Sequence, residues 1–211
     1  MLTRGRRARP HPRRAYAMLA GALCAVALLL GGCGGSGSSS PFSGAFHAPH
    51  GYAAYHGRGY VVALPPQFVA KSGSVADQPT GSTVIEATKG GNLAARAQSE
   101  ILLLENPHLT FSLDQVVNNL AEADRTNTSV SNAHISATKA TVPGAQAARI
   151  VTESYVAPDS PSDPTRTTFR RKWLMVLIKP GHLLDVVVAN APKLGGDVDA
   201  DAVIDSFRLN Q

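Results

Sequence analysis

Cysteine is scarce in this chain of 211 residues, which contains only Cys24 and Cys33. Cys24 lies in an apolar run near the N-terminus, and no cysteine follows Cys33. A disulfide, a zinc–thiolate site and a cysteine nucleophile are therefore excluded from everything after Cys33. A folded domain there must be stabilised by its apolar core, and a sequence with 44% hydrophobic residues can supply one.

An excess of positive charge is also lacking once the first 32 residues are set aside. Six of the 20 lysines and arginines precede Cys33, so 14 remain against 15 acidic residues. A nucleic-acid-binding domain needs a basic surface, which a net charge near −1 does not supply. We expect no nucleic-acid partner.

Sequence motifs of catalysis are missing as well. The chain has no Gly-x-Ser-x-Gly elbow, no phosphate-cradling glycine loop and no His-Glu-x-x-His, and His108, His134 and His182 are scattered. His47 and His50 have a metal-like spacing, but a Gly/Pro-rich stretch lacks the surrounding groups that orient ligands. We therefore predict no enzymatic activity, no metal and no cofactor, although a triad assembled from distant residues stays open.

The N-terminal segment combines features of an export signal. Residues 1–14 hold the six arginines and no acid, and residues 17–30 are apolar or small but too few for a membrane span of about 20 residues. Leu30, Gly31, Gly32 and Cys33 follow, which resembles the lipobox of bacterial lipoproteins. The resemblance implies a signal peptide over residues 1–32 and a diacylglycerol on Cys33. Cleavage elsewhere and an uncleaved anchor are the alternatives.

The residues after Cys33 have the composition of a spacer. Gly34–Ser40 reads GGSGSSS, and we predict a Gly/Ser/Pro-rich tether over residues 33–51 and one domain over residues 52–211. The protein would then be anchored by its lipid on the extracytoplasmic face of the cell membrane. The paired arginines Arg13 and Arg14 leave Sec and Tat export both open.

Most of the domain is predicted to be extended. Strands are indicated over residues 59–64, 82–88 and 99–105, although a helix over residues 92–101 would fit the same letters. Two hairpins are expected further on, with turns at Val142-Pro143-Gly144-Ala145 and Lys179-Pro180-Gly181-His182. The polar, proline-rich residues 157–165 are expected to form a surface loop.

The second hairpin predicts a register. If Lys179 faces His182, regular pairing places Trp173 opposite Val188, with both side chains on the core face of the sheet. Asp185 then lies on the opposite face from Trp173.

Two helices are predicted. The first begins at Ser112, which forms a capping box with Gln115, and its apolar residues recur at helical spacing over Leu113–Leu120. The second is capped by Asp197 and ends near Phe207.

Several of these features occur in the same order in a known family. They are the first strand running into Leu64-Pro65-Pro66-Gln67-Phe68, the helix opening Ser112-Leu113-Asp114, the Pro143-Gly144-Ala145 turn, the last hairpin and the terminal Ile204–Leu209. Together they resemble the PsbP-like domains, and among them the LpqN-type lipoproteins of actinobacteria. The resemblance implies an α+β fold: an α/β/α sandwich on a mostly antiparallel sheet of about six to seven strands with helices on its faces. It also implies a non-enzymatic binding or accessory module.

A basic patch is the candidate interaction surface. Arg166, Arg170 and Lys172 lie near Phe169 and Trp173 and could bind an acidic partner or anionic headgroups, but we favour a solvated strand end as the explanation of these charges. The lipobox, the tether and the absence of catalytic motifs predict an adaptor for an extracytoplasmic protein or envelope component. A carrier of a lipid or small ligand is the alternative.

Replacing Cys33 tests the lipid anchor. Cys33→Ala should move the protein out of the membrane fraction or leave it unprocessed, because the lipid supplies the anchoring. Fractionation with immunoblotting measures this. A variant that stays membrane-bound with its leader correctly removed would disprove the anchor.

Overall fold

The structure is a computed structural model that describes residues 40–73, 81–92, 98–160 and 163–210. Ser38–Gln211 forms one compact unit, which contains the whole described core. The strands are β1 Ala53–Gly57, β2 Tyr60–Leu64, β3 Phe68–Ser72, β4 Thr83–Lys89, β5 Ser99–Asn106, β6 Ser131–Ala140, β7 Ala147–Ser160, β8 Asp163–Lys179, β9 His182–Asn190 and β10 Arg208–Leu209. The helices are α1 Leu113–Thr126 and α2 Ala200–Ser206, and Pro192–Leu194 form a 3₁₀ turn.

The fold is mostly antiparallel sheet. Seven strands form the main sheet in the order β3-β4-β5-β9-β8-β7-β6, and a small sheet has the order β1-β2-β10. Each neighbouring pair in both sheets runs antiparallel. The main sheet therefore contains the expected number of strands, and the small sheet is additional.

Each face of the main sheet carries a hydrophobic core. On the side that we call the α2 side, alternate residues of β5, β7, β8 and β9 pack with α2 and the small sheet, and Leu174, Val186 and Phe207 are fully buried there. On the other, α1 side, Val151 and Met175 pack beneath Leu113 of α1. Because strand side chains alternate, β7, β8 and β9 each contribute to both cores.

Local signals in the sequence set several elements as predicted. Ser112 and Gln115 form the reciprocal capping box of α1, and the apolar face of α1 packs in the α1-side core. Gly144 takes a φ of 84°, and the amide of Ala145 donates to the carbonyl of Val142 across the first turn. Residues 99–101 are in β5 rather than in a helix, and residues 93–97 lie outside the described part of the chain.

The register of the β8–β9 hairpin differs from the predicted one by one residue. Lys179 pairs with His182, but Leu177 pairs with Leu183, because β8 has one extra residue, Ile178, beside the turn. A Pro-Gly turn of this kind matches the twist of a hairpin poorly, and a bulge restores the pairing. The shift moves every β9 side chain to the opposite face.

The packed domain begins before the predicted Tyr52. The ring of Phe42 is 1% exposed and lies in the α2-side core, and the Ser40 hydroxyl donates to the Thr141 carbonyl at 2.6 Å. Ser40–Gly51, which we assigned to the tether, therefore lies against the domain because Phe42 is an apolar anchor within a polar stretch.

Two further boundaries also differ from prediction. The side chain of Asp199, not Asp197, accepts the capping hydrogen bond of α2 from the amide of Ala202 at 3.0 Å. Most of residues 157–165 belong to β7 and β8, because backbone pairing extends the hairpin into a polar sequence. Strands β1 and β3 were not predicted.

Truncating Phe42 tests whether it belongs to the core. In a soluble Ser38–Gln211 fragment, Phe42→Ala should lower the free energy of unfolding by about 3–5 kcal/mol, because it leaves a cavity in the core. Urea denaturation measures the change. Phe111→Ala is the matched control, since Phe111 is 53% exposed, and should change stability by about 0.5 kcal/mol or less. Equal effects of the two substitutions would contradict the packing.

Candidate ligand-binding groove

Helix α1 covers only part of its face of the main sheet. It lies mainly over β6 and β7, and its first residue, Leu113, also packs with Met175 of β8 and Leu183 of β9, whereas β5 lies farther across the sheet. The chain between β5 and α1, residues 107–112, passes along the border, and the amide of Leu109 donates to the carbonyl of Gly181 at 2.8 Å. A concave region remains between this loop and the strands.

We call this region the α1-side groove. It has a volume of about 620 Å³, within the range of small-molecule sites. Most of its exposed wall surface is apolar, and nine of its sixteen lining residues are hydrophobic. It is lined by Glu100, Leu102, Leu104, Asn106, His108, Leu109, Thr110, Phe111, Val116, Asn119, Arg171, Trp173, Leu183, Asp185, Val187 and Ala189. Such a mixture can hold an apolar molecule and orient it by one or two polar contacts.

Asp185 is the acidic group among the apolar residues of β9. It pairs across the sheet with Leu104 of β5 and Met175 of β8. Its Oδ1 atom has neither solvent contact nor a hydrogen-bond partner among the described residues. Burial raises the pKa of Asp185 to about 7, since a low-dielectric environment disfavours the charged carboxylate.

A second buried acid, Glu153 of β7, lies beneath the end of the groove. Its side chain is completely buried, and it accepts hydrogen bonds from Arg171 Nη1 at 3.5 Å and from Trp173 Nε1 at 3.3 Å. The guanidinium of Arg171 also lies 4.7 Å from the ring centre of Tyr155. Arg171 is thus held by Glu153 and Tyr155 rather than directed freely into the groove.

Glu153 is close to another carboxyl group, that of Asp124 in α1. Burial above all, together with the neighbouring Asp124, raises the pKa of Glu153 to about 7 against the opposing effect of Arg171. Oδ2 of Asp124 is buried and has no donor among the described side chains. Because two neighbouring carboxylates repel each other, the pair favours a proton on Glu153.

The opposite face of the sheet carries the predicted basic patch. Arg166 donates to the carbonyls of Ser129 and Val156 and to the hydroxyl of Ser131 at 3.0–3.1 Å, and Lys172 forms an ion pair with Asp201 of α2. These contacts occupy two of the three cations. Arg170 and Lys172 line a more polar concavity of about 520 Å³.

The remaining predicted residues are dispersed or undescribed. Leu30, Gly31, Gly32 and Cys33 lie outside the described residues. His182 Nε2 lies 2.9 Å from Glu105 Oε1, His108 lines the groove, and His134 is on β6. Within the described ranges, no group of three or more His, Cys, Asp or Glu side chains could hold a metal ion.

Sequence reasoning did not identify the groove. A single acid inside the apolar run Leu183–Val188 was the available signal for Asp185, but the regular register placed it on the other face. Glu153 gave a similar signal between Val151 and Tyr155. In both cases the partner strands, rather than the local sequence, determine what the acid contacts.

Comparisons with known proteins do not assign the chain to a family: no family model matches it, and a search of the curated proteins finds no match. In the part of the chain that the structure describes, neither helix is long and apolar enough to cross a membrane.

The two raised pKa values predict how stability depends on pH. The folded state keeps protons that the unfolded chain releases near pH 3.8 from Asp185 and near pH 4.5 from Glu153, so stability should fall as the pH rises from about 4 to about 7. Glu153→Gln should remove part of this loss, on the order of 2 kcal/mol. Urea denaturation of Ser38–Gln211 across this range measures it.

Glu122→Gln is the control for that experiment, because the Glu122 side chain is 58% exposed. It should leave the pH dependence as in the wild type. A dependence that Glu153→Gln also leaves unchanged would contradict the burial of a protonated Glu153.

Proposed function

We propose that this protein is a membrane-anchored extracytoplasmic lipoprotein whose domain binds a small apolar ligand in the α1-side groove without catalysing a reaction. The observation that carries the proposal is the groove itself: about 620 Å³ of concave, mostly apolar space on a sheet face that α1 leaves partly open. Exposed apolar concavities of this size mark binding sites more often than bare surface does.

The leader sequence supports the location. Leu30-Gly31-Gly32-Cys33 has the lipobox pattern, and Phe42 fixes the chain to the domain nine residues later. Between Cys33 and Ser40 the chain can span at most about 25 Å. A diacylglycerol on Cys33 would therefore keep the domain close to the membrane surface.

The PsbP-like resemblance is compatible with the arrangement of layers. We propose an α/β/α sandwich in which α1 and α2 cover opposite faces of the main sheet, with the small sheet beside α2. Fold likeness does not name a ligand, so the groove rather than the family likeness supports the binding function.

An adaptor that binds a protein is the second candidate, and strand β6 is the observation that favours it. β6 is the outer strand of the main sheet, and most of its ten residues are exposed. An open edge can accept a strand of a partner through backbone hydrogen bonds. A substitution within the groove would leave such binding intact.

Filling the groove tests the proposed function. Trp173 is the single tryptophan and lines the groove, so its fluorescence reports binding there. Decanol, a neutral apolar probe, should change the emission of Ser38–Gln211 saturably. Ala189→Phe should weaken decanol binding by about tenfold or more, because its ring occupies groove volume.

Ala137→Phe is the matched control, since Ala137 is exposed on β6 outside the groove. It should bind decanol like the wild type. No saturable response in the wild type, or equal binding by both variants, would disprove the groove as a binding site and leave the adaptor as the better hypothesis.

A further inference from the structure

Asp185 lacks a partner that its position requires. A buried acceptor without a hydrogen bond is destabilising, and more so when it is charged. Oδ1 of Asp185 has no donor among the described residues, and its cross-strand neighbours Leu104 and Met175 have none to offer. A ligand in the groove that carries a hydrogen-bond donor would satisfy this carboxyl group.

The other titratable groups around the groove bear on which sign of ligand charge the groove favours. Glu100 also lines it and is acidic, while Arg171 is held by Glu153 and lies over Tyr155. His108 lies in the loop between β5 and α1. The helix side contributes Val116 and Asn119, which carry no charge. Of these groups, Asp185 is the one with an oxygen atom, Oδ1, that lacks a hydrogen-bond donor among the described residues.

We propose that the α1-side groove binds an amphipathic amine, whose ammonium group pairs with Asp185 while its hydrocarbon part lies against Leu102, Leu104 and Val187. The inference rests on the proposed binding function and adds the chemical class of the ligand. An ammonium supplies both the missing donor and the opposite charge.

Other apolar ligands satisfy the site less well. A fatty acid would place a second carboxylate beside Asp185, and two like charges in a buried site disfavour each other. An alcohol can donate one hydrogen bond but leaves the charge of an ionised Asp185 uncompensated. The volume of about 620 Å³ holds about 20 water-sized groups at about 30 Å³ each, so a medium-length alkyl chain fits.

The pH dependence of binding is a second signature. Because burial raises the pKa of Asp185 to about 7, the carboxylate that pairs with an ammonium becomes fully populated only above that pH. An alkylamine stays protonated there, since its pKa is near that of lysine, about 10.4. Amine affinity should therefore rise between about pH 6 and about pH 8, whereas decanol affinity should change less.

The experiment compares decylamine, decanol and decanoate by Trp173 fluorescence of Ser38–Gln211. At about pH 8, decylamine should bind at least about tenfold more tightly than decanol, and decanoate should bind most weakly. Asp185→Asn should remove most of the preference for decylamine. Asp201→Asn, on the α2 side and paired with Lys172, is the matched control and should retain the preference.

The outcomes separate the two proposals. If none of the probes binds, the binding function itself fails. If decanol binds and decylamine binds no better, or if Glu100→Gln reduces the preference more than Asp185→Asn, the groove binds ligands but the assignment to Asp185 is wrong. The pH series on the wild type keeps the test decisive even if Asp185→Asn does not fold: an amine affinity that does not rise with pH overturns the proposal.

Discussion

The features on the α1 side depend on the hydrogen-bond register between β8 and β9. The extra residue Ile178 in β8 shifts that register by one position and so decides which β9 side chains share a face with Trp173. Without the bulge, Asp185 would lie on the α2 side among the fully buried residues of the larger core. A charged group there would have to be desolvated by close packing on every side. With the bulge, it lies where the covering layer is incomplete.

The incomplete cover follows from the sizes of the layers. Seven strands about 4.8 Å apart make a sheet roughly 30 Å wide, and a helix with its side chains covers about 10 Å of that width. On the α2 side, α2 and the small sheet together cover the main sheet, so that face is closed over β5, β8 and β9. On the α1 side a single helix contacts β6 and β7, and the loop of residues 107–112 borders what remains. An open concavity is the geometric result.

Local chemistry allowed part of this structure to be predicted. The capping box at Ser112 and the positive φ at Gly144 each depend on a few neighbouring residues, and both are confirmed. The predicted β9 register was wrong because a bulge is a property of the paired strands. The start of the domain was placed too late because the surrounding residues are polar, whereas the single buried ring of Phe42 holds this segment against the core. The groove was not predicted, because its lining comes from four separate segments of the chain.

The burial of Phe42 has a consequence for how the domain would meet its ligand. With the chain fixed at Phe42 and lipidated at Cys33, the domain would diffuse in two dimensions within a thin layer above the bilayer. An amphipathic molecule is concentrated in that layer by partitioning into the headgroup region. The quantity that governs occupancy would then be the surface density of ligand in the leaflet rather than its concentration in bulk water, so weak intrinsic affinity would suffice.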